Sequence, residues 1–488
     1  MKKYIVAIDQ STSASKVFLA DGNGTIVRRF SKPHRQYYPA PGLAEHDAEE
    51  IWQNVLEGMS EVTRDIDKEE IAAVSVCNQR ETTAFWSRKD GCALRRAIVW
   101  QDVRAHELCG ELAASAEEVK RASGIALSPY YSAAKAAHAL REDPSLLARA
   151  KDGEALIGTV DSFLIYKLTG GQTFATDVSN ASRTQLFNIR RLSFDVDLCA
   201  LFGVPPKCLP HPLMSDADFG TVAALEKLKG VPVTGVMGDS HSSLFAQKCL
   251  YEGMTKTSYG TGSSVMMNTG TQACESKNGL STSIAYGFRG QVKYVLEGNI
   301  THSGDTLKWL VEQAQMASSV AEVEQIALSV KDSGGVYLVP AFSGMGAPDF
   351  DETARGAFIG LSRASTRAHM VRAALESMAY QNAAVINAMQ ADAGARIAVL
   401  HADGGGCKNE TLMQLQADLL GCPLEAADET ELSALGCALM AAEKTLGTDA
   451  EKQRVGKTRL YEPGISERER LSRMDGWYAA VRRVLNKH

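Results

Sequence analysis

Tyr4-Ile5-Val6-Ala7-Ile8-Asp9-Gln10-Ser11-Thr12-Ser13-Ala14-Ser15-Lys16 decides the fold. An apolar run ends in an aspartate and opens into a short hydroxyl-rich turn, after which residues 16–20 resume as a strand. A second stretch repeats the plan about half a chain later. Tyr259-Gly260-Thr261-Gly262-Ser263-Ser264 follows the strand 254–259 and leads into Val265-Met266-Met267. Each turn offers backbone N–H groups and small hydroxyls, the donors a phosphate chain needs. Two such turns predict a duplicated fold that grips a nucleotide between two halves, and hence phosphoryl transfer.

Outward from the first turn, strands are expected at 5–9, 16–20 and 25–30, with Asp21-Gly22-Asn23-Gly24 as a hairpin turn. Asp47 should cap a helix whose apolar face is Ile51, Trp52, Val55 and Met59. The buried strand 71–77 ends in Asn78-Gln79-Arg80-Glu81-Thr82-Thr83. Strand 97–100 ends in Gln101-Asp102, and strand 231–237 in Gly238-Asp239-Ser240-His241. Polar residues at strand ends are where open α/β sheets place their chemistry. From the second turn the pattern restarts with a strand at 292–296, a helix at 321–330 and a strand at 336–340. A long helix over 369–389 follows, then a strand at 397–401 ending in Asp403-Gly404-Gly405-Gly406, and a helix at 411–420. The boundary is placed near 246–252, giving domains 1–248 and 249–488.

A chain of 488 residues exceeds what one hydrophobic core holds, in keeping with two domains. With a net charge of −6 and no long basic run, no nucleic-acid surface is expected. An anionic nucleotide must then be met by local donors and Mg²⁺. The ten cysteines include no C-x-x-C pair and read as reduced thiols, so a cytoplasmic protein is expected. No signal-peptide core and no run of about 18 apolar residues is found, so no membrane association is expected. The run 432–442 contains Ser433 and Gly436 and reads as a buried helix.

The segments Asn78-Gln79-Arg80-Glu81-Thr82-Thr83, Ala97-Ile98-Val99-Trp100-Gln101-Asp102, Thr176-Asp177-x-x-Asn180-Ala181-Ser182-Arg183-Thr184 and Gly356-Ala-Phe-Ile-Gly360-Leu361 carry a resemblance. Together with His369-Met370-x-x-Ala373-Ala374-Leu375-Glu376, they make the chain similar to the FGGY carbohydrate kinases, and within them to the glycerol kinases. The resemblance runs from about residue 5 to about residue 442. It implies an α/β protein of two actin/hexokinase-like (ribonuclease H-like) domains around a central cleft, each built on a mixed five-stranded sheet. It also implies ATP and Mg²⁺ as cofactors, a small polyol or sugar as substrate, and a homodimer or homotetramer.

Roles follow position by position. Asp239 would be the catalytic base, although an aspartate there could equally cap the next helix. Asp9 would hold Mg²⁺, with Asp239 close to the metal. Thr12, Ser13 and Lys16 would contact phosphate on one side, and Gly260, Thr261 and Gly262 on the other. Gly304, Lys308, Gly405 and Asn409 fall where the family binds ADP. The acceptor would meet Arg80, Glu81, Trp100, Tyr130, Asp239, Ser240 and Ser264. Bland alternatives are a solvated surface pair for Arg80–Glu81 and a cleft-wall ring for Trp100.

The chain departs from the glycerol-kinase pattern at two pocket positions. Ser240 stands where glutamine is usual and Ser264 where phenylalanine is usual. A roomier, more polar pocket is expected, so the acceptor is glycerol or a longer polyol or ketose. The segment 226–231 lacks the glycine-rich loop of fructose 1,6-bisphosphate regulation, and no such inhibition is expected. A non-catalytic sensor on the same fold is a third reading.

Overall fold

The computed structural model describes residues 2–453 and 456–486. Strand Tyr4–Gln10 pairs antiparallel with Ala14–Asp21 and parallel with Ile71–Asn78. Ile26–Pro33 and Val233–Gly238 form the edges of this five-stranded sheet. Asp21 closes the second hairpin by accepting from the amides of Asn23 and Thr25. Asp47 caps helix Ala48–Val62 through the amides of Glu49 and Glu50, and the expected face of Ile51, Trp52, Val55 and Met59 is buried.

The second half repeats this plan. Thr255–Tyr259 pairs antiparallel with Ser263–Asn268 and parallel with Leu400–Asp403, which pairs parallel with Leu424–Ala427. Gln291–Ile300 lies beyond Ser263–Asn268. These five strands have the spatial order and relative directions of the first sheet, so the two turns are equivalent positions of one duplicated motif. The five-strand expectation for this half is corrected: Ser281–Phe288 and Thr458–Tyr461 extend the sheet to seven. Several boundaries also move: the strand expected at 397–401 runs over Leu400–Asp403, that at 97–100 over Ala97–Ile98 and that at 292–296 over Gln291–Ile300, and the helix expected at 369–389 runs over Arg367–Ala393.

Helix Leu432–Leu446 follows the last parallel strand of the second sheet, yet it packs on the first. Leu435, Leu439 and Ala442 share one buried cluster with Ile5, Ala7, Phe18 and Met237, and with Met266 and Val295 of the second sheet. Two glycines permit this approach. A Cβ on Gly436 would stand 1.9 Å from the Ser242 carbonyl, and Gly235, at φ +73°, would meet the Cys437 carbonyl at 2.5 Å. The first half also carries an inserted five-stranded sheet that includes Thr83–Ser87 and Ala155–Thr159. Among the described residues no helix is long and apolar enough to cross a membrane.

Candidate active site

Asp9 sits near the end of the central strand of the first sheet, opposite Lys16 across the hairpin. Its side chain is buried and Oδ1 has no hydrogen-bond partner. Burial pushes its pKa up to about 7, against the pull of Lys16 and with added repulsion from Asp239 and Glu431. A buried, unpartnered carboxylate oxygen facing two other carboxylates is an environment that a cation would complete. Lys16 is not free in this arrangement, since its Nζ pairs with Glu431 Oε2 at 2.8 Å.

Asp239 opens helix Asp239–Ala246 directly after an apolar strand, and its Oδ1 accepts from the Ser240 amide at 2.6 Å. The cap position of this helix is Gly238, so Asp239 is its first residue and satisfies a first-turn amide from there. Gly238 has a different use. A Cβ there would lie 2.7 Å from Arg80 Cγ, so the bare backbone lets the arginine stem cross the strand end. Arg80 Nε then stands 3.5 Å from Asp239 Oδ1.

Arg80 and Glu81 are buried, so the surface-pair alternative fails. Arg80 donates from both terminal nitrogens to Glu297, at 3.0 and 2.8 Å. Arg183 donates from Nε to Glu81 at 2.6 Å, and its Nη1 lies 2.8 Å from Glu297 Oε2. Burial alone would raise the Glu297 pKa, but the Arg183 and Arg80 guanidiniums hold it well below the usual carboxylate range. Glu81 adopts φ 62°, a left-handed conformation that a non-glycine residue holds only where its surroundings enforce it. Ser264 reaches this network, with Oγ 3.4 Å from Glu297 Oε1. His241, next to Ser240, is fully buried with both ring nitrogens unpartnered, and burial beside Arg80 drives its pKa down.

Trp100 is half-buried and packs edge-on against Tyr130, ring centroids 5.5 Å apart. Its Nε1 donates to the Thr12 hydroxyl at 3.0 Å, joining this ring to the first turn. Ser13 is exposed at that turn. The second turn is bound to the start of helix Gly304–Glu312. Gly260 O accepts from the Gly304 amide at 3.1 Å, and Thr261 O from the amides of Ser303 and Asp305. A Cβ on Gly262 would lie 2.4 Å from the Ile300 carbonyl and one on Gly304 2.5 Å from the Gly260 carbonyl. A Cβ on Gly405, by contrast, would meet no protein atom within 4 Å. Glycine at 405 is therefore not demanded by packing, as expected where a ligand approaches the backbone. Lys308 is exposed, and Asn409 caps helix Glu410–Leu420 through the Leu412 amide at 2.8 Å.

Most of the expected acceptor and phosphate residues thus lie at a strand end, a turn or a helix start; Lys16 lies within strand Ala14–Asp21 and Lys308 in the middle of helix Gly304–Glu312. The reading from sequence missed Glu297 and left Arg183 without a role. The available signal for Glu297 was a lone acidic residue closing the apolar run Val295-Leu296.

Two ribonuclease H-like halves, with equivalent phosphate-type turns and a strand-end aspartate between them, define an actin/hexokinase-like phosphotransferase. Comparison makes this specific. The N-terminal domain of the FGGY family of carbohydrate kinases matches residues 4–246 and the C-terminal domain of that family matches residues 255–444. The chain is 43% identical to the glycerol kinase of Carboxydothermus hydrogenoformans, over 99% of this chain and 98% of that one. It is 42% identical to an Enterobacter glycerol kinase over the same shares. The crystal structure of Plasmodium falciparum glycerol kinase with ADP superposes with a TM-score of 0.94 at 32% identity, covering 99% of each chain. A xylulose kinase from Lactobacillus acidophilus shares the fold, at a TM-score of 0.89 and 21% identity over 99% of this chain and 98% of that one. The chain belongs to the FGGY family of carbohydrate kinases.

Proposed function

We propose that the protein transfers the terminal phosphoryl group of ATP to a primary hydroxyl of glycerol, giving glycerol 3-phosphate and ADP. The observation that carries this reading is the meeting of Asp239 with the buried Arg80–Glu81 element at one strand end. Full-length relatives named as glycerol kinases agree with it.

Asp239 accepts the proton of the attacking hydroxyl and aims the oxygen lone pair. The new O–P bond forms as the bond to the β-phosphate oxygen breaks, and ADP leaves. Arg80 and Glu81 hold adjacent acceptor hydroxyls as donor and acceptor. Thr12 and Ser13 donate to phosphate from one half, the amides of Gly260, Thr261 and Gly262 from the other, and Lys16 adds charge. Gly304, Lys308, Gly405 and Asn409 border the nucleotide, with the Asn409 amide nitrogen left over from capping. Asp9 is suited to Mg²⁺, by its unpartnered oxygen and raised pKa, with Asp239 as second carboxylate. When bound, the ion neutralises charge between the phosphates.

A second reading is favoured by Ser264, whose hydroxyl faces Glu297 where the family usually places a ring. Under it the acceptor is a tetritol, pentitol or ketose. The deciding experiment is Mg-ATP-dependent ADP release with glycerol, dihydroxyacetone, erythritol, ribitol, xylitol, D-xylulose and D-ribulose, with Asp239→Asn as control. Asp239→Asn should lose about 100- to 10,000-fold in kcat. Turnover undiminished in that variant would sink the role of Asp239. Nucleotide-dependent stabilisation with no turnover on any acceptor would favour a sensor.

The cytoplasm and a homodimer or homotetramer belong to the same proposal. So does insensitivity to fructose 1,6-bisphosphate, since segment 226–231 is a short turn anchored by buried Leu228 and Val231, with Glu226 paired to Lys229.

A further inference from the structure

Arg80 is aimed by a carboxylate from the other half of the molecule. Glu297, on strand Gln291–Ile300 of the second sheet, takes both terminal nitrogens of Arg80 and also meets Arg183. Arg183 returns to Glu81. The result is a buried chain of alternating charge, Glu81–Arg183–Glu297–Arg80, with two positive and two negative members.

Two features set this chain apart from ordinary packing. Buried ion pairs seldom stabilise a fold better than apolar groups of the same volume, so stability alone does not account for it. Its end residues, moreover, are the two that face the acceptor. With both terminal nitrogens committed to Glu297, only Arg80 Nε is turned toward Asp239, at 3.5 Å. The carboxylates acting on Arg80 are Glu297, Glu81 and Asp239. Without Glu297 the guanidinium would be drawn onto the catalytic aspartate and away from the acceptor hydroxyls.

We propose that Glu297 is a positioning residue for the acceptor, so that the polyol site is complete only when the two halves are docked. This rests on the polyol-kinase reading above. The segment also places the second phosphate turn, because the strand holding Glu297 runs on into the residues that bind Gly260 and Thr261.

The test compares wild type with Glu297→Gln and with the charge-balanced double variant Arg183→Gln/Glu297→Gln, using MgATP and the best polyol of the panel. In both variants the polyol KM is expected to rise about tenfold or more. The MgATP KM should stay within about twofold, and ADP should raise Tm by the wild-type increment. A polyol KM within about twofold of wild type in the double variant overturns the inference and leaves the kinase reading intact. A parallel rise of both KM values also overturns it, since that marks a general distortion. If neither variant folds, the chain is structural and the inference falls. If the wild type phosphorylates no polyol, the reading and the inference fall together.

Discussion

The indole Nε1 of Trp100 donates to the hydroxyl of Thr12 at 3.0 Å, binding the aromatic pair of Trp100 and Tyr130 to the first hydroxyl-rich turn. Having accepted that bond, the Thr12 hydroxyl keeps its own proton to donate, which under the proposed function would go to a phosphate. Trp100→Phe retains the ring against Tyr130 and removes only the donor. A net bond of this kind is worth about 0.5–1.5 kcal/mol, so the MgATP KM should rise about two- to tenfold. An unchanged MgATP KM would remove Thr12 from phosphate binding.

Asp9 makes stability depend on pH in a direction unusual for a carboxylate. Its ordinary value is 3.8 and its folded value about 7, so the folded state holds the proton more tightly. The stabilisation is complete below about pH 4, declines as pH rises and is gone above about pH 7. Asp9→Asn should therefore raise Tm of the nucleotide-free protein at pH 8 and leave it nearly unchanged at pH 4. The same variant should lose the stabilisation that Mg²⁺ adds to bound nucleotide. A lower Tm at pH 8 would contradict the assignment.

Two glycines near the nucleotide side should respond oppositely to alanine. Gly405→Ala adds a methyl group into open space, so Tm should hold while ADP binding weakens. Gly262→Ala drives the methyl group to 2.4 Å from the Ile300 carbonyl, so Tm itself should fall, with a stability loss typical of overpacking, about 1–3 kcal/mol. Calorimetry with and without ADP separates the two outcomes. Unweakened ADP binding in Gly405→Ala would place the nucleotide elsewhere.

Under the proposed function, Ser264 would set the width of the acceptor pocket, since its hydroxyl lies 3.4 Å from Glu297 Oε1. Ser264→Phe replaces a hydroxyl beside Glu297 with a ring, and should raise the ratio of kcat/KM for glycerol over erythritol or ribitol. A shape contact of one or two methylenes is worth about 10- to 200-fold in such ratios, which sets the scale. A ratio that does not move would mean that Ser264 does not line the acceptor.

The residues legible in the sequence are those whose position is local. Asp9 and Asp239 announce themselves because each closes an apolar strand, and Gly260 and Gly262 because a turn of that shape needs them. Arg80 and Glu81 are ambiguous as a dipeptide, and their burial is decided by partners 217 and 102 positions away. Glu297 stays hidden for the same reason, since no local pattern says which buried carboxylate will meet two arginines. The added strands of the second sheet escape notice because Ser281–Phe288 and Thr458–Tyr461 mix small, polar and apolar residues without a clean run.

Helix Leu432–Leu446 has a consequence for biosynthesis. The first sheet is complete in sequence at Gly238, yet the helix that covers its apolar face is made nearly two hundred residues later. At about 5–20 residues per second, a ribosome needs roughly 10–40 s to supply it. Throughout that interval Ile5, Ala7 and Phe18 lack the cover of this helix, so the emerging half exposes an apolar, aggregation-prone face. An N-terminal fragment ending before residue 432 should accordingly aggregate alone and be rescued by co-expression with the remainder.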